Sequence, residues 1–231
     1  MISIIIPCYN EVRTIKTILK KINDLKNYKF EIIIIDDYST DGTREILKNE
    51  ISLNTSHIVL YNEKNYGKGY CIRKGIEKSS GEIILIQDAD LEYDPNDYSR
   101  LIDPIINDQA DVVYGSRFIG GDKKRVLFFW HTVANKILTL ISNIFTNLNL
   151  TDMECGYKVF RSSVLKKITL KQNRFGFEPE VTAKISKMNI KIFEVGVSYF
   201  GRSYSEGKKI TYKDAFNALY CIVRYNLSQS L

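Results

Sequence analysis

The 231-residue sequence predicts an α/β fold, a mostly parallel sheet with helices on both faces. Two observations carry this. Short β-branched runs alternate with segments of helical periodicity, four times in succession. Polar residues also collect just after the apolar runs, at the carboxyl edge of such a sheet, where ligands bind.

The elements follow in order. Ile2-Ser3-Ile4-Ile5-Ile6 predicts a strand over 2–6, ended by Pro7-Cys8-Tyr9-Asn10-Glu11 and followed by a helix over 11–25. A second strand over 31–36 runs into Asp36-Asp37-Tyr38-Ser39-Thr40-Asp41-Gly42 and a helix over 41–50. Asp41 suits a cap there, because Asp ahead of a helix accepts backbone N–H bonds. Strands over 57–62, 82–87 and 111–115, with helices over 68–79 and 96–108, complete the alternation. No repeat, low-complexity tract or Pro/Ser-rich linker interrupts the chain, so a single domain over 1–231 is expected.

Composition narrows the class. Hydrophobic residues make up 44% and charged residues 26%, as in a soluble globular domain. A net charge of +6 favours anionic partners such as nucleotides, phosphates or acidic membrane faces, and does not require nucleic acid, which is not an expected partner. Cys8, Cys71, Cys155 and Cys221 are widely spaced without a CxxC pair, which fits reduced thiols in a cytoplasmic protein. Met1 leads straight into the first strand, so no signal peptide is expected, and no stretch reaches the ~20 apolar residues of a spanning helix.

The most pointed chemical signal follows the fourth strand, where Ile83 to Ile86 and Gln87 lead into Asp88-Ala89-Asp90-Leu91-Glu92. On extended chain, alternate residues point the same way, so Asp88, Asp90 and Glu92 would converge. Three carboxylates so close repel unless a cation neutralises them, and oxygen-only ligands suit Mg²⁺ or Mn²⁺. The plain alternative is a solvated turn.

The second half reads differently. Over 126–148 the polar residues His131, Asn135, Lys136, Thr139, Asn143 and Asn147 recur at spacings of three and four, leaving a broad apolar face with Trp130. Such a helix either packs into the core or touches a bilayer or lipid tail. The C-terminal segment 216–225 carries the same ambiguity.

Taken together, Pro7-x-Tyr9-Asn10-Glu11, Asp36-Asp37-x-Ser39-x-Asp41-Gly42-Thr43, Asn65-x-Gly67-Lys68-Gly69, Asp88-Ala89-Asp90 and Gly115-Ser116-Arg117-Phe118 form an ordered set. The set resembles the family 2 glycosyltransferases of GT-A, Rossmann-like fold. The branch it most resembles is that of dolichyl-phosphate mannose synthase and related polyprenyl-phosphate sugar transferases. The resemblance extends to Arg202 and Gly207-Lys208 and covers nearly the whole chain.

The resemblance implies a division of labour: residues 1–118 as a nucleotide-sugar half and 119–231 as an acceptor half. Pro7, Tyr9 and Glu11 would border the nucleoside of a GDP- or UDP-hexose, with Asp36 or Asp37 accepting from base or ribose. Lys68 and Ala89 would lie beside the nucleotide, and Asp88, Asp90 and Glu92 would hold the metal on the diphosphate. Arg117, Arg202 and Lys208 would neutralise phosphate oxygens, and Asp152 is the candidate base, followed by Glu178 and Glu180. The relatives usually offer an Arg and a Ser four residues apart to the lipid phosphate. Here that place holds His131 and Asn135, with Arg125 and Lys136 nearby.

The expected reaction is therefore inverting, metal-dependent hexosyl transfer to a lipid acceptor, polyprenyl phosphate first among them. The expected enzyme is peripheral on the cytoplasmic face of a membrane. A lipid hydroxyl or a saccharide is the alternative acceptor, since His131 and Asn135 are less cationic than the relatives' pair. Two other classes compete. A nucleotidyltransferase would place a Gly-rich basic loop where Pro7 to Glu11 stand, and a non-catalytic binder would have no need of Asp88, Asp90, Arg117 and Asp152 together.

Overall fold

The computed structural model describes residues 1–52, 57–120, 124–126, 128–203, 206–207 and 212–228. Strands β1 (Ile2–Cys8), β2 (Phe30–Asp36), β3 (His57–Tyr61), β4 (Ile83–Ile86) and β5 (Val112–Ser116) arise from the apolar runs. Two further strands, β6 (Lys158–Arg161) and β7 (Ile192–Gly196), join them. The seven form one sheet in the order β3-β2-β1-β4-β6-β5-β7. β1 pairs in parallel with β2 and β4, β2 with β3, and β5 with β7. β6 alone runs antiparallel, between β4 and β5.

Alternation along the strands feeds two cores. Ile4, Ile6, Ile32, Ile34, Leu85 and Val113 face one way, toward Ile15, Ile18, Leu19 and Ile22 of α1 (Ile15–Asp24) and Leu101, Ile102 and Ile105 of α4 (Tyr98–Ile106). Ile5, Ile33, Ile35, Ile84, Ile86 and Tyr114 face the other way. They meet α3 (Lys68–Lys78) and α7 (Phe177–Ile185) through Ile72, Phe177 and Val181. Each fully buried Ile or Leu contributes about 1.5–3 kcal/mol, which is why strands apolar on both faces lie inside the sheet.

Helix boundaries moved at three places. α1 begins at Ile15, not 11, because the carbonyl of Glu11 takes the N–H groups of Thr14 and Ile15 in a preceding turn. α2 (Thr43–Ile46) passes into a π-helical turn, Leu47–Ile51. A 3-10 turn, Pro95–Asp97, precedes α4 and is capped by the Asp94 side chain. Gly42 holds the N-cap position of α2, and Asp41 just before it accepts from the Thr43 N–H at 3.0 Å, as expected of an acid ahead of a helix, and also from that of Val12.

The long helix α5 (Phe129–Thr146) buries only part of its apolar face. Its fully buried residues are Thr139 and Ser142, and Leu138 and Ile141 pack against the second core, while Trp130 is 75% exposed and Ile144 71%. The core-packing alternative holds for that strip of the helix, and most of the apolar side faces outward. A short α6 (Ser162–Leu165) follows β6, and α8 (Tyr212–Leu227) packs against α5 and α7, leaving Phe216 and Tyr220 exposed.

Candidate active site

A cleft of about 1370 Å³ opens at the carboxyl ends of β1, β2, β4 and β5, where the reading of the chain expected one. It is lined by Pro7, Tyr9, Glu11, Asp37, Lys68, Asp88, Ala89, Asp90, Glu92, Arg117, His131, Asn135 and Arg202, all anticipated from sequence. Asp36 and Asp152 do not line it. Lys208 lies outside the described residues.

The two aspartates at the end of β2, Asp36 and Asp37, diverge because consecutive residues point opposite ways. Asp36 is fully buried; its Oδ2 takes Arg44 Nε at 2.6 Å, and its Oδ1 accepts the Ser39 N–H. A nucleoside contact for Asp36 is therefore excluded by its partners. Asp37 faces the cleft and holds up its wall, accepting from Asn62 Nδ2 at 2.8 Å and from the N–H groups of Tyr66 and Gly67. Gly67 opens α3 at a φ of +103°, and a Cβ there would stand 2.5 Å from the Asn173 carbonyl oxygen. Only glycine fits both constraints.

That turn aims Lys68 across the cleft. Its Nζ lies 2.9 Å from Asp88 Oδ1 and 3.0 Å from Glu178 Oε1. Burial works against its charge, but the two carboxylates outweigh burial and hold Lys68 above its ordinary value. Asp88 is set from below by Gln87, which accepts from the hydroxyls of Tyr98 and Tyr157 and donates to the Asp88 carbonyl. Gly156 leaves space for Asp88: a Cβ on it would sit 2.4 Å from Asp88 Oδ2.

The acids after β4 do not converge by strand alternation. β4 ends at Ile86, and Leu91 takes a left-handed φ of +62°, so the chain turns between Asp90 and Glu92. Glu92 accepts from the Tyr199 hydroxyl at 2.9 Å and the Arg202 N–H at 2.8 Å, anchoring the 199–202 segment. Among the described residues no three acids, histidines or cysteines form a ready-made metal-holding group, and of the three expected ligands Glu92 is engaged by Tyr199 and Arg202. Arg202 sits among these acids, with Nη2 at 2.9 Å from Asp90 Oδ2 and Nη1 at 3.2 Å from Glu11 Oε1. Burial, then the charges of Glu92 and Asp88, still hold the Asp90 carboxyl well above the usual carboxylate range. A buried acid short of positive charge fits a cation. Asp90 and Asp88 could hold one, since two carboxylates suit a Mg²⁺ site completed by phosphate and water.

Asp152 is wholly buried and grips Arg117: Nε to Oδ2 at 2.6 Å, Nη2 to Oδ1 at 2.7 Å, and the Arg117 N–H to Oδ2 at 3.0 Å. The base role expected of Asp152 is corrected by this geometry, since both of its oxygens face a guanidinium and neither faces the cleft. Its place is to fix Arg117, whose guanidinium also lies over the rings of Phe118 and Tyr199. Glu180 likewise points inward, accepting from the N–H groups of Lys171 and Gln172 and pairing with Lys184 at 3.2 Å. Glu178 does line the cleft, and so does Glu154, which sequence reasoning passed over in favour of its neighbour Asp152. On the α5 side, Lys124, Arg125 and Lys136 join His131 and Asn135 in the lining.

Sheet order, cleft and paired acids and bases together define an α/β protein with a charged site at the carboxyl edge of its sheet. The profile of the family described as Glycosyl transferase family 2 matches residues 3–169, and the chain belongs to that family. It is a glycosyltransferase of GT-A fold. It is 28% identical to the UDP-N-acetylglucosamine–dolichyl-phosphate N-acetylglucosaminyltransferase of Methanococcus voltae, over 100% of this chain and 98% of the relative. It is 28% identical to the undecaprenyl-phosphate mannosyltransferase of Micrococcus luteus, over 88% of this chain and 85% of that one. In structure it is similar to glucosyl-3-phosphoglycerate synthase from Mycobacterium tuberculosis in complex with Mn²⁺, UDP and phosphoglyceric acid. The TM-score is 0.76 at 17% identity, covering 98% of this chain and 78% of the other. That synthase was also crystallised with Mg²⁺ and UDP.

Proposed function

We propose that this glycosyltransferase moves a hexose, with inversion, from a GDP- or UDP-hexose to a polyprenyl phosphate at a membrane surface. Residues 1–118 supply the nucleotide side of the donor site, and 119–231 supply most of the acceptor side, with Arg202 reaching back to the donor and Arg117 forward to the acceptor. The observation that carries the reading is the make-up of the cleft. Its lining combines the acids Asp88 and Asp90 with the cations Arg117, Lys124 and Lys136, and it extends onto α5, much of whose apolar side is exposed. The two relatives named for dolichyl and undecaprenyl phosphate acceptors support the same assignment.

Each residue then has a task. Pro7, Tyr9 and Asp37 border the nucleoside. Asp88 and Asp90 hold a Mg²⁺ or Mn²⁺ ion, which when bound supplies positive charge to the diphosphate leaving group. Lys68 and Arg202 add fixed charge beside it, where it lowers the barrier as negative charge develops. Arg117, held by Asp152, shares the acceptor phosphate with His131, Asn135 and Lys136. A phosphate oxygen attacks the anomeric carbon from the face opposite the diphosphate, the bond to the nucleoside diphosphate breaks, and the configuration inverts. The acceptor is already ionised near neutral pH and needs no base. That agrees with Asp152 being bound to Arg117 rather than aimed at the substrate.

Among the described residues no helix is long and apolar enough to cross a membrane. Contact with lipid is assigned instead to the outward face of α5, where Phe129 and Trp130 are 68% and 75% exposed, on the cytoplasmic side. The test is a panel of radiolabelled GDP- and UDP-hexoses offered to the protein with polyprenyl phosphate, polyprenol or diacylglycerol in vesicles. Products are identified by mass spectrometry. A hexosyl polyprenyl monophosphate is the expected product. Transfer to polyprenol or diacylglycerol but not to the phosphate overturns the reading.

A further inference from the structure

Among the described residues, the buried side-chain oxygens without a hydrogen-bond partner are two: Glu154 Oε1 and Glu178 Oε2. Leaving a buried acceptor unsatisfied costs about 1–3 kcal/mol, so two in one place call for an explanation. Both residues line the cleft. Neither carboxylate is needed to hold the fold in the way Glu180 is, with its backbone N–H donors and its lysine.

Their position relative to the donor site is set by short links. Glu178 stands in the first turn of α7, and its other oxygen, Oε1, is held by Lys68 Nζ at 3.0 Å. The same ammonium holds Asp88, so Glu178 is one lysine away from the acid assigned to the diphosphate end. Glu154 precedes β6, two residues ahead of Gly156, which abuts Asp88 Oδ2. Lys158, fully buried, donates to the carbonyls of Met153 and Cys155 and brings a positive charge into the range of both glutamates. In a nucleoside diphosphate sugar, the sugar is the group bonded to the terminal phosphate. The groups next to the diphosphate acids that still lack partners are therefore placed to meet sugar hydroxyls. Hydroxyls are the donors that carboxylate oxygens accept.

We propose that Glu178 and Glu154 form the subsite for the transferred sugar, and that they select a neutral hexose presenting free hydroxyls to them. The proposal rests on the donor reading given above. An acidic sugar would meet the Glu178 carboxylate there, and a deoxy sugar would leave a buried oxygen unpaired. Sites built to hydrogen-bond a hydroxyl reject analogues that lack it far more strongly than apolar pockets reject a methylene.

The experiment compares wild type with Glu178→Gln and Glu154→Gln in calorimetric titrations, with Mn²⁺ present. The ligands are the nucleoside diphosphate, the matching nucleoside diphosphate hexose and its monodeoxy analogues. Glu178→Asp, which keeps a carboxylate, guards against a folding defect in the glutamine variant. Wild type is expected to prefer the hexose to a deoxy analogue by ~10-fold or more, and the glutamine variants to lose that preference. In Glu154→Gln, which leaves the Lys68 pair intact, binding of the bare diphosphate should stay within ~3-fold of wild type, as expected where a contact is made to the sugar alone. Equal loss of diphosphate and diphosphate-hexose binding in Glu154→Gln, or unchanged discrimination in both variants, overturns the proposal and leaves the transferase reading intact. A wild type that binds no nucleoside diphosphate overturns both.

Discussion

The Asp152–Arg117 pair gives the sharpest test of the site. Asn at 152 keeps the shape of Asp, loses its charge, and turns an N–H₂ group toward a guanidinium that keeps only one of its two acceptor oxygens. Removing one partner of a buried ion pair costs ~3–5 kcal/mol. Arg117 has 13% of its side chain exposed and keeps its ring contacts, so the lower end, ~3 kcal/mol, applies. In a domain of this size, each kcal/mol lowers Tm by ~2–4 °C, so Asp152→Asn should melt ~6–12 °C below wild type. Activity should fall through a rise in acceptor KM, because the guanidinium is no longer held in one orientation. Calorimetry together with steady-state kinetics at varied polyprenyl phosphate reads both effects. A variant melting within ~2 °C of wild type, with kcat down ~10²-fold and KM unchanged, would refute this account and restore a base at position 152.

Further outcomes follow from the same geometry. Asp90→Asn should lower transfer by ~10²-fold or more while the protein stays folded, and EDTA should do so reversibly; full activity in EDTA removes the metal from the mechanism. Gly156→Ala should displace the Asp88 carboxylate and weaken Mn²⁺–nucleotide binding by ~10-fold, measured by titration, because its Cβ would stand 2.4 Å from Asp88 Oδ2. Burial and the neighbouring Glu178 hold the Glu154 carboxyl above its ordinary value. The folded state therefore binds the extra proton between the ordinary carboxylate pKa of ~4.3 and that raised value, and stability falls as pH rises through this window. In Glu154→Gln the decline in Tm from pH 5 to pH 9 should be shallower, and an unchanged slope would show that Glu154 is not the group responsible. Replacing Trp130 and Phe129 by Ser should abolish flotation with anionic vesicles at low salt; undiminished flotation would move membrane contact elsewhere.

What sequence could supply here depended on whether it fixed direction as well as period. The apolar runs of β1, β2, β4 and β5 left no doubt, since strands buried on both faces have no orientation to choose. Asp36 and Asp37 are adjacent, Asp152 and Glu154 stand two residues apart, and only register in the folded sheet or turn decides which member of each set meets the cleft. For α5 the spacing of polar residues gave the helix and its two faces correctly but not which side was in, and Thr139 and Ser142 prove to be the buried ones. β6 was hidden for another reason. It has four residues, and Lys158, fully buried with its ammonium on two carbonyls, breaks the apolar pattern by which strands are found. The convergence of Asp88, Asp90 and Glu92 was argued on extended chain, and the left-handed turn at Leu91 removed that premise.

The antiparallel strand between β4 and β5 also bears on how the molecule comes into being. As the chain leaves the ribosome, β1 to β4 can zip together in turn, each finding a neighbour already made. β5 cannot: its sheet partners are β6 and β7, formed from residues 158–161 and 192–196. Arg117 follows β5, and its partner Asp152 comes shortly before β6. A chain cut after Phe118 would leave β4 with an open edge and β5 with no partner, a template for pairing with other chains. The donor-side strands can therefore gain protection from hydrogen exchange early, whereas the cation that meets the acceptor is locked in place only when the last third of the polypeptide has closed the sheet.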